Sequence, residues 1–67
     1  MGRKMTIDEV ADYFRTSPRT VRYWRVIGYG PQGVRIGRRV LYDEDDVKAF
    51  EQECRAAEAA ERAVVDR

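Results

Sequence analysis

The 67-residue sequence has no histidine, a single cysteine (Cys54) and no long apolar run. A structural zinc site needs about four nitrogen or sulfur ligands, so this composition excludes one. A lone cysteine excludes an intramolecular disulfide and is typical of a protein in a reducing cytosol. A membrane-spanning helix requires roughly 20 apolar residues in succession, and no segment approaches that length. We therefore expect a cytoplasmic protein with no metal, no internal disulfide and no membrane association.

The residue patterns that enzymes use are also missing. The sequence contains no nucleophile–base pair, no pair of carboxylates suited to acid–base catalysis and no glycine loop that would bind a phosphate. The short Gly28-Tyr29-Gly30 motif lacks the preceding strand that a nucleotide-binding fold requires. The sequence therefore predicts a protein that is not an enzyme, with no catalytic residue, no cofactor and no small-molecule ligand.

The charges that are present are strongly separated along the chain, although the net charge is only +1. Residues 1–42 hold nine basic and three acidic side chains, a net charge of +6. Residues 43–67 hold nine acidic and four basic side chains, a net charge of −5. Seven arginines and no carboxylate lie between Asp12 and Asp43. Because arginine pairs with a phosphate or a guanine edge at two points, this segment indicates a polyanionic partner. The competing interpretation is a solvated basic surface without a partner.

Local signals predict a first short helix over residues 7–14. Thr6 and Glu9 have the spacing of a capping box, in which each side chain accepts a hydrogen bond from the other residue's backbone N–H. Apolar residues then recur with the helical period, at Ile7, Val10, Ala11 and Phe14. This pattern makes one face of the helix apolar.

A second helix is predicted over residues 18–27, after a tight turn. Ser17 is a good N-cap, and Pro18 suits the first helical position because its missing N–H has no partner there. Gly28 is a typical C-terminal stop. Two short helices joined by so tight a turn form a helix-turn-helix.

The rest of the chain predicts a hairpin and a third helix. Residues 34–36 and 40–42 are two short strands joined by the three-residue loop Gly37-Arg38-Arg39, which is typical of a basic wing. Asp43 then caps a final helix whose first turn is acidic, as the helix dipole favours, and which is expected to reach about residue 63. The predicted fold class is mainly α with a small β-hairpin, in one domain over residues 1–67. Within it, the helix-turn-helix spans 6–28, the wing 34–42 and the C-terminal helix 43–63.

The second helix presents polar side chains on the face opposite Val21 and Trp24. They are Arg19, Thr20, Arg22 and Tyr23. The major groove of B-form DNA admits an α-helix, so we expect these arginines to reach guanine edges or phosphates. The hydroxyls of Thr20 and Tyr23 can donate hydrogen bonds to phosphates. For Tyr23, packing within the protein is the alternative. Arg25 lies nearer the core side, where it suits a phosphate or an acidic partner within the chain.

The sequence also predicts where four further residues lie and what they do. Arg38 and Arg39 in the hairpin loop are expected to enter the DNA minor groove, where a narrow groove concentrates negative potential; solvated turn arginines are the alternative. Trp24 lies beside Val21, which favours a place in the core over stacking on a base. Cys54 continues the apolar stripe of the last helix and is expected to be buried. The second half of that helix either projects into solvent or meets another protomer.

Four segments resemble the MerR-like winged helix-turn-helix, and within that superfamily the chain resembles the small phage excisionases, also called recombination directionality factors. The segments are Thr6–Ala11, Ser17–Trp24, Arg35–Arg39 and Asp46-Val47. The resemblance covers roughly residues 5–54. Its helix Arg19–Trp24 is specific for the fold and for DNA, and less so for excision.

The resemblance implies a function and a set of contacts. It implies the second helix in the major groove, through Arg19, Thr20, Arg22 and Tyr23, and a wing at the minor groove, through Arg38 and Arg39 with Arg35 nearby. Excisionases bind several sites in a prophage attachment region, often side by side, and bend the DNA. With a partner integrase, this bend favours excision over integration. The implied partners are double-stranded DNA and a phage integrase, in the cytoplasm of a bacterial host.

The charge separation predicts contacts between copies of the protein, and two alternative functions remain open. An acidic tail against a basic body suits head-to-tail contacts between neighbouring copies on DNA. A stripe of Cys54, Ala57 and Val64 interrupted by Glu61 makes a poor coiled-coil seam, which argues against the dimerising helices of MerR regulators. A small winged helix-turn-helix transcriptional regulator is the main alternative. A protein-interaction module, such as an antitoxin-like or adaptor domain, is the alternative without DNA.

Overall fold

Three helices and three strands form the fold in the computed structural model, which describes residues 3–65 and side chains as far as residue 61. In chain order they are β1 (Lys4–Thr6), α1 (Ile7–Tyr13), α2 (Pro18–Ile27), β2 (Gly33–Ile36), β3 (Arg39–Asp43) and α3 (Glu44–Val65). The predicted class, mainly α with a small β-hairpin wing and a helix after it, is confirmed.

The capping box of α1 forms as the sequence predicts. The Thr6 hydroxyl accepts from the Glu9 N–H at 3.1 Å, and the Glu9 carboxylate accepts from the Thr6 N–H at 2.9 Å. The helix ends at Tyr13, one residue earlier than predicted, because Arg15 turns the chain with a positive φ of 58°. The Thr16 N–H closes this turn on the Ala11 carbonyl at 2.8 Å. The turn is a Schellman motif with arginine at a position that glycine usually takes.

Helix α2 has the predicted bounds because both of its ends are capped locally. The Ser17 hydroxyl accepts from the Thr20 N–H at 3.2 Å, and Pro18 opens the helix. Gly28 closes it with a φ of 75°, in the left-handed region that favours glycine.

The sheet differs from the predicted hairpin in three ways. A third strand, β1, pairs with β3, so the antiparallel order is β1-β3-β2. Strand β1 was not predicted because three residues are too short for a periodic pattern and their partners lie far along the chain. The hairpin loop is the two-residue turn Gly37-Arg38, because Arg39 already pairs with Ile36 in the ladder. Strand β3 extends to Asp43, which was predicted as the cap of the last helix and directly precedes the first residue of α3, Glu44. The Asp43 carboxylate also forms an ion pair with Lys4 at 2.5 Å.

The core joins the sheet to all three helices. Its buried members come from β1, α1, α2, β3 and α3, and are Met5, Val10, Ala11, Val21, Tyr42 and Val47. Strand β2 lies very close to the Tyr42 ring of β3 at Gly33, where a Cβ atom would be only 2.8 Å from the ring. This contact lies within the hairpin, because Gly33 and Tyr42 are cross-strand partners, and the buried Tyr42 ring joins the hairpin to the core.

A layer of aromatic rings extends this core towards α3. The ring of Phe50 lies 5.2 Å from that of Tyr29, 5.6 Å from Phe14 and 6.0 Å from Trp24, centroid to centroid. The contacts with Tyr29 and Phe14 are edge-on and the contact with Trp24 is tilted. Edge-on aromatic pairs contribute about 0.5–1.5 kcal/mol each beyond the area that they bury. Trp24 is half-buried against the core, so the expectation of a packing role is confirmed.

Only the first part of α3 packs on the domain. Val47 is fully buried, whereas every residue from Gln52 to Glu61 is exposed. The exposed set includes Cys54, so the prediction of a buried thiol is wrong. The apolar stripe continues in sequence, but no described element covers this side of the helix beyond the Phe50 layer. Of the helices within residues 3–65, none is both long and apolar enough to cross a lipid bilayer.

Candidate nucleic-acid interface

The core holds α2 so that its polar face points outward. Val21 is buried and Trp24 half-buried on the inner side, while Arg19 and Arg22 are exposed and Tyr23 is 60% exposed. Thr20 is half-buried, and its hydroxyl lies 3.0 Å from the hydroxyl of Ser17. Part of the hydrogen-bonding capacity of Thr20 is therefore used within the helix cap.

The wing projects a second set of arginines from the opposite wall. Arg35 on β2, Arg38 in the turn and Arg39 on β3 are all exposed. Gly37 has a φ of 63°, and a Cβ placed there would meet nothing within 4 Å. The left-handed conformation explains the need for glycine at the turn, and the empty surroundings show that the tip stands free of the domain.

Between α2 and the wing lies a groove of about 630 Å³. We call it the arginine groove, because arginines from both walls line it. They are Arg22, Arg25, Arg35, Arg38 and Arg39. Asp8 is the one acidic residue on its lining. A cleft lined mostly by one sign of charge focuses the electrostatic field and attracts the opposite charge.

None of the five arginines has an ion-pair partner among the described side chains, where the ion pairs are Lys4–Asp43 and Glu51–Arg55. Their positive charge is therefore not balanced within the described part of the domain. An arginine that has no internal partner retains all of its donors for a phosphate or a base.

The groove brings together four of the seven residues predicted as DNA contacts and leaves out three. The four inside are Arg22, Arg35, Arg38 and Arg39. Arg19, Thr20 and Tyr23 lie elsewhere on α2. The predicted contact set therefore divides into a part that lines the groove and a part that lies elsewhere on α2.

Arg25 lines the groove but was not among the seven predicted contact residues, although a phosphate contact was one of the two roles that the sequence left open for it. The helical period puts it beside the core, and the structure shows it exposed between α2 and the wing. It also influences the core: burial raises the pKa of Tyr42, and the positive charge of Arg25 opposes that rise. The position of the hairpin decides which side of α2 becomes the groove, and periodicity within α2 carries no signal for it.

The comparisons with known proteins agree with this geometry. A family model described as a helix-turn-helix domain matches residues 5–55, which is more than half of the chain and includes both helices, the wing and the start of α3. Neither the curated proteins nor the solved structures contain a significant match. From the match to the family model, together with the observed helices and wing, we conclude that the chain belongs to the helix-turn-helix domain family and is a small DNA-binding protein.

Proposed function

We propose that this protein is an excisionase, which binds and bends attachment-site DNA and directs integrase-mediated recombination towards prophage excision. The observation that carries the DNA-binding part is the arginine groove, where α2 and the wing present positive charge from two walls. The excision part rests on the resemblance of residues 5–54 to phage excisionases. In this proposal the protein catalyses nothing itself and acts in the cytoplasm of a bacterial host.

The proposed docking places α2 in the major groove and the wing in the adjacent minor groove. An α-helix with its side chains is about 10–12 Å across, which fits a major groove about 12 Å wide. Arg19 and Arg22 contact base edges or phosphates, and Thr20 and Tyr23 contact phosphates. On the other wall, Arg35, Arg38 and Arg39 contact the minor groove.

The proposal makes binding strongly dependent on salt. If each protomer neutralises four to six phosphates, the logarithm of the binding constant falls by about 4 to 5 for each tenfold rise in salt concentration. Affinity from one small module is modest, so useful occupancy needs several copies on neighbouring sites.

The exposed part of α3 supports contacts between such copies. Residues 44–61 hold seven acidic and two basic side chains, a net charge of −5, and most of them are exposed. This acidic helix complements the basic body of the next copy in a head-to-tail arrangement on DNA. Binding curves on one site and on tandem sites test this, and equal affinity per site in both would contradict it.

A mobility-shift assay with circularly permuted fragments of attachment-site DNA tests the bending. Titration at two salt concentrations should give a salt-sensitive ladder of complexes whose mobility depends on the position of the site. A single unbent complex would contradict the proposal. A variant with both Arg19→Ala and Arg22→Ala should lose DNA binding. If that variant kept its function, the protein would instead be a protein-interaction module.

The alternative is a small winged helix-turn-helix transcriptional regulator, because the same arginine groove serves either function. Regulators also bend DNA, so the deciding measurement is the yield of integrase-driven excision with and without the protein. Excision that proceeds equally well in its absence would favour the regulator.

A further inference from the structure

The outer face of the wing is apolar and uncovered. Gly33 and Tyr42 face the core, so the alternation of a β-strand places Val34 and Ile36 on the opposite face. Val34 is 61% exposed and Ile36 is 52% exposed. Leu41, which pairs with Val34 across the ladder, is half-buried beside them. These three side chains form an apolar strip that the core does not use.

Ile36 is the member of this strip nearest the tip of the wing. It is the last residue of β2, it pairs with Arg39, and only Gly37 and Arg38 separate the two. A side chain at Gly37 would meet nothing within 4 Å, so the surroundings of the tip are open. An apolar side chain therefore lies opposite Arg39 and next to the open turn that carries Arg38, and all three residues are exposed.

The charges around the strip indicate which partner covers it. A protein surface that received Ile36 would also have to neutralise Arg38 and Arg39. The walls of a DNA minor groove carry phosphates on both sides, and the groove itself accepts apolar side chains such as isoleucine between base steps. The acidic residue on this face of the sheet, Asp43, lies at the other end of β3, where Lys4 neutralises it.

We propose that Ile36 is an apolar wedge that enters the minor groove beside Arg38 and Arg39 and opens one base step, so that the wing itself bends the DNA. This inference rests on the proposed function, because it requires the wing in the minor groove. The arginines supply attraction to the phosphates, and the isoleucine supplies the deformation. Val34 and Leu41 lie further from the tip and contact the sugars at most.

The test uses duplexes of attachment-site DNA that carry the fluorescent base 2-aminopurine at successive steps, because its fluorescence rises when stacking is lost. The variant Ile36→Thr keeps a β-branched residue in the strand and removes the apolar wedge. Val34→Thr is the matched control on the same strand and face. Ile36→Met restores an apolar side chain of a type that minor-groove proteins also insert.

The wild-type protein and Val34→Thr should raise the fluorescence at one step and bend the fragment. Ile36→Thr should lose the fluorescence rise, show a smaller bend and bind about tenfold more weakly, with the salt dependence unchanged because no phosphate contact is removed. Ile36→Met should recover most of the rise. Because Ile36 is half-exposed and outside the core, all variants should melt within a few degrees of the wild type.

Two results overturn the wedge. One is an Ile36→Thr complex with the bend and fluorescence of the wild type. The other is a change only in the number of copies bound, which would make the strip an interface between protomers. Failure of the proposed function looks different, because the wild-type protein would then fail to shift the DNA at all.

Discussion

Neutralising Arg25 tests whether the arginine groove is the DNA-binding surface. Five arginines line the groove, and none has an ion-pair partner among the described side chains. If each neutralises one phosphate, the salt slope of the wild type is about −4.5, and Arg25→Gln lowers its magnitude to about 3.6. Between 50 and 200 mM salt, affinity should then fall about 500-fold for the wild type and about 150-fold for the variant.

Fluorescence anisotropy with a labelled duplex, titrated at four salt concentrations in that range, measures both slopes. Arg55→Gln is the matched control, because Arg55 is an exposed arginine on α3 that pairs with Glu51 outside the groove. It changes the net charge equally and should leave the slope at the wild-type value. The reasoning is refuted if Arg25→Gln retains the wild-type slope, or if both variants lower it equally, since net charge rather than the groove would then be responsible.

Three further substitutions test the packing, the groove charge and the contact between α1 and α3. Gly33→Ala places a methyl group 2.8 Å from the Tyr42 ring, so it should lower the free energy of unfolding by about 1–3 kcal/mol. The melting temperature should fall by about 4–8 °C for each kcal/mol lost, and an unchanged melting curve would contradict this contact. Asp8→Asn removes the negative charge from the lining of the arginine groove, so binding to random-sequence DNA should become about two- to fivefold stronger in the anisotropy assay. Weaker binding by this variant would contradict the position of Asp8 in the groove. Tyr13→Phe removes the hydrogen bond that, with Arg55, holds the pKa of Glu51 below its usual value of 4.5. Because the folded-state pKa is lowered, the stability lost in this variant should be largest above pH 4.5 and shrink as pH falls below it; a Tm difference that is constant from pH 7 to pH 3 would count against this contact.

Local signals in the sequence were sufficient for the two helices of the helix-turn-helix. The caps at Thr6, Ser17 and Gly28 act within three or four residues, and the structure has all three. The early end of α1 departs from the prediction by one residue because Arg15 adopts a left-handed conformation, which the residue type does not signal. The charge separation and the arginines of α2 were also evident from composition and helical period alone.

Contacts between distant residues decided the rest. Strand β1 exists because Lys4, Met5 and Thr6 find partners in β3, 35 to 39 residues away in sequence. The hairpin turn is shorter than predicted because Arg39 pairs with Ile36 in the ladder between β2 and β3. Cys54 is exposed because the packing of α3 on the domain ends near Phe50, although its position on the apolar stripe is as predicted.

The sequence by itself determined the two capped helices, the wing and the abundance of arginine between them, because capping, turn geometry and charge are properties of neighbouring residues. Only the tertiary structure decided that Arg25 faces the wing and that Ile36 projects uncovered at its tip. The groove places the hairpin arginines beside Arg25, and contacts of the sheet with the helices, through core residues such as Met5 and Tyr42, bury only the other face of the sheet. Such contacts join residues that are distant in sequence, so no local pattern encodes them.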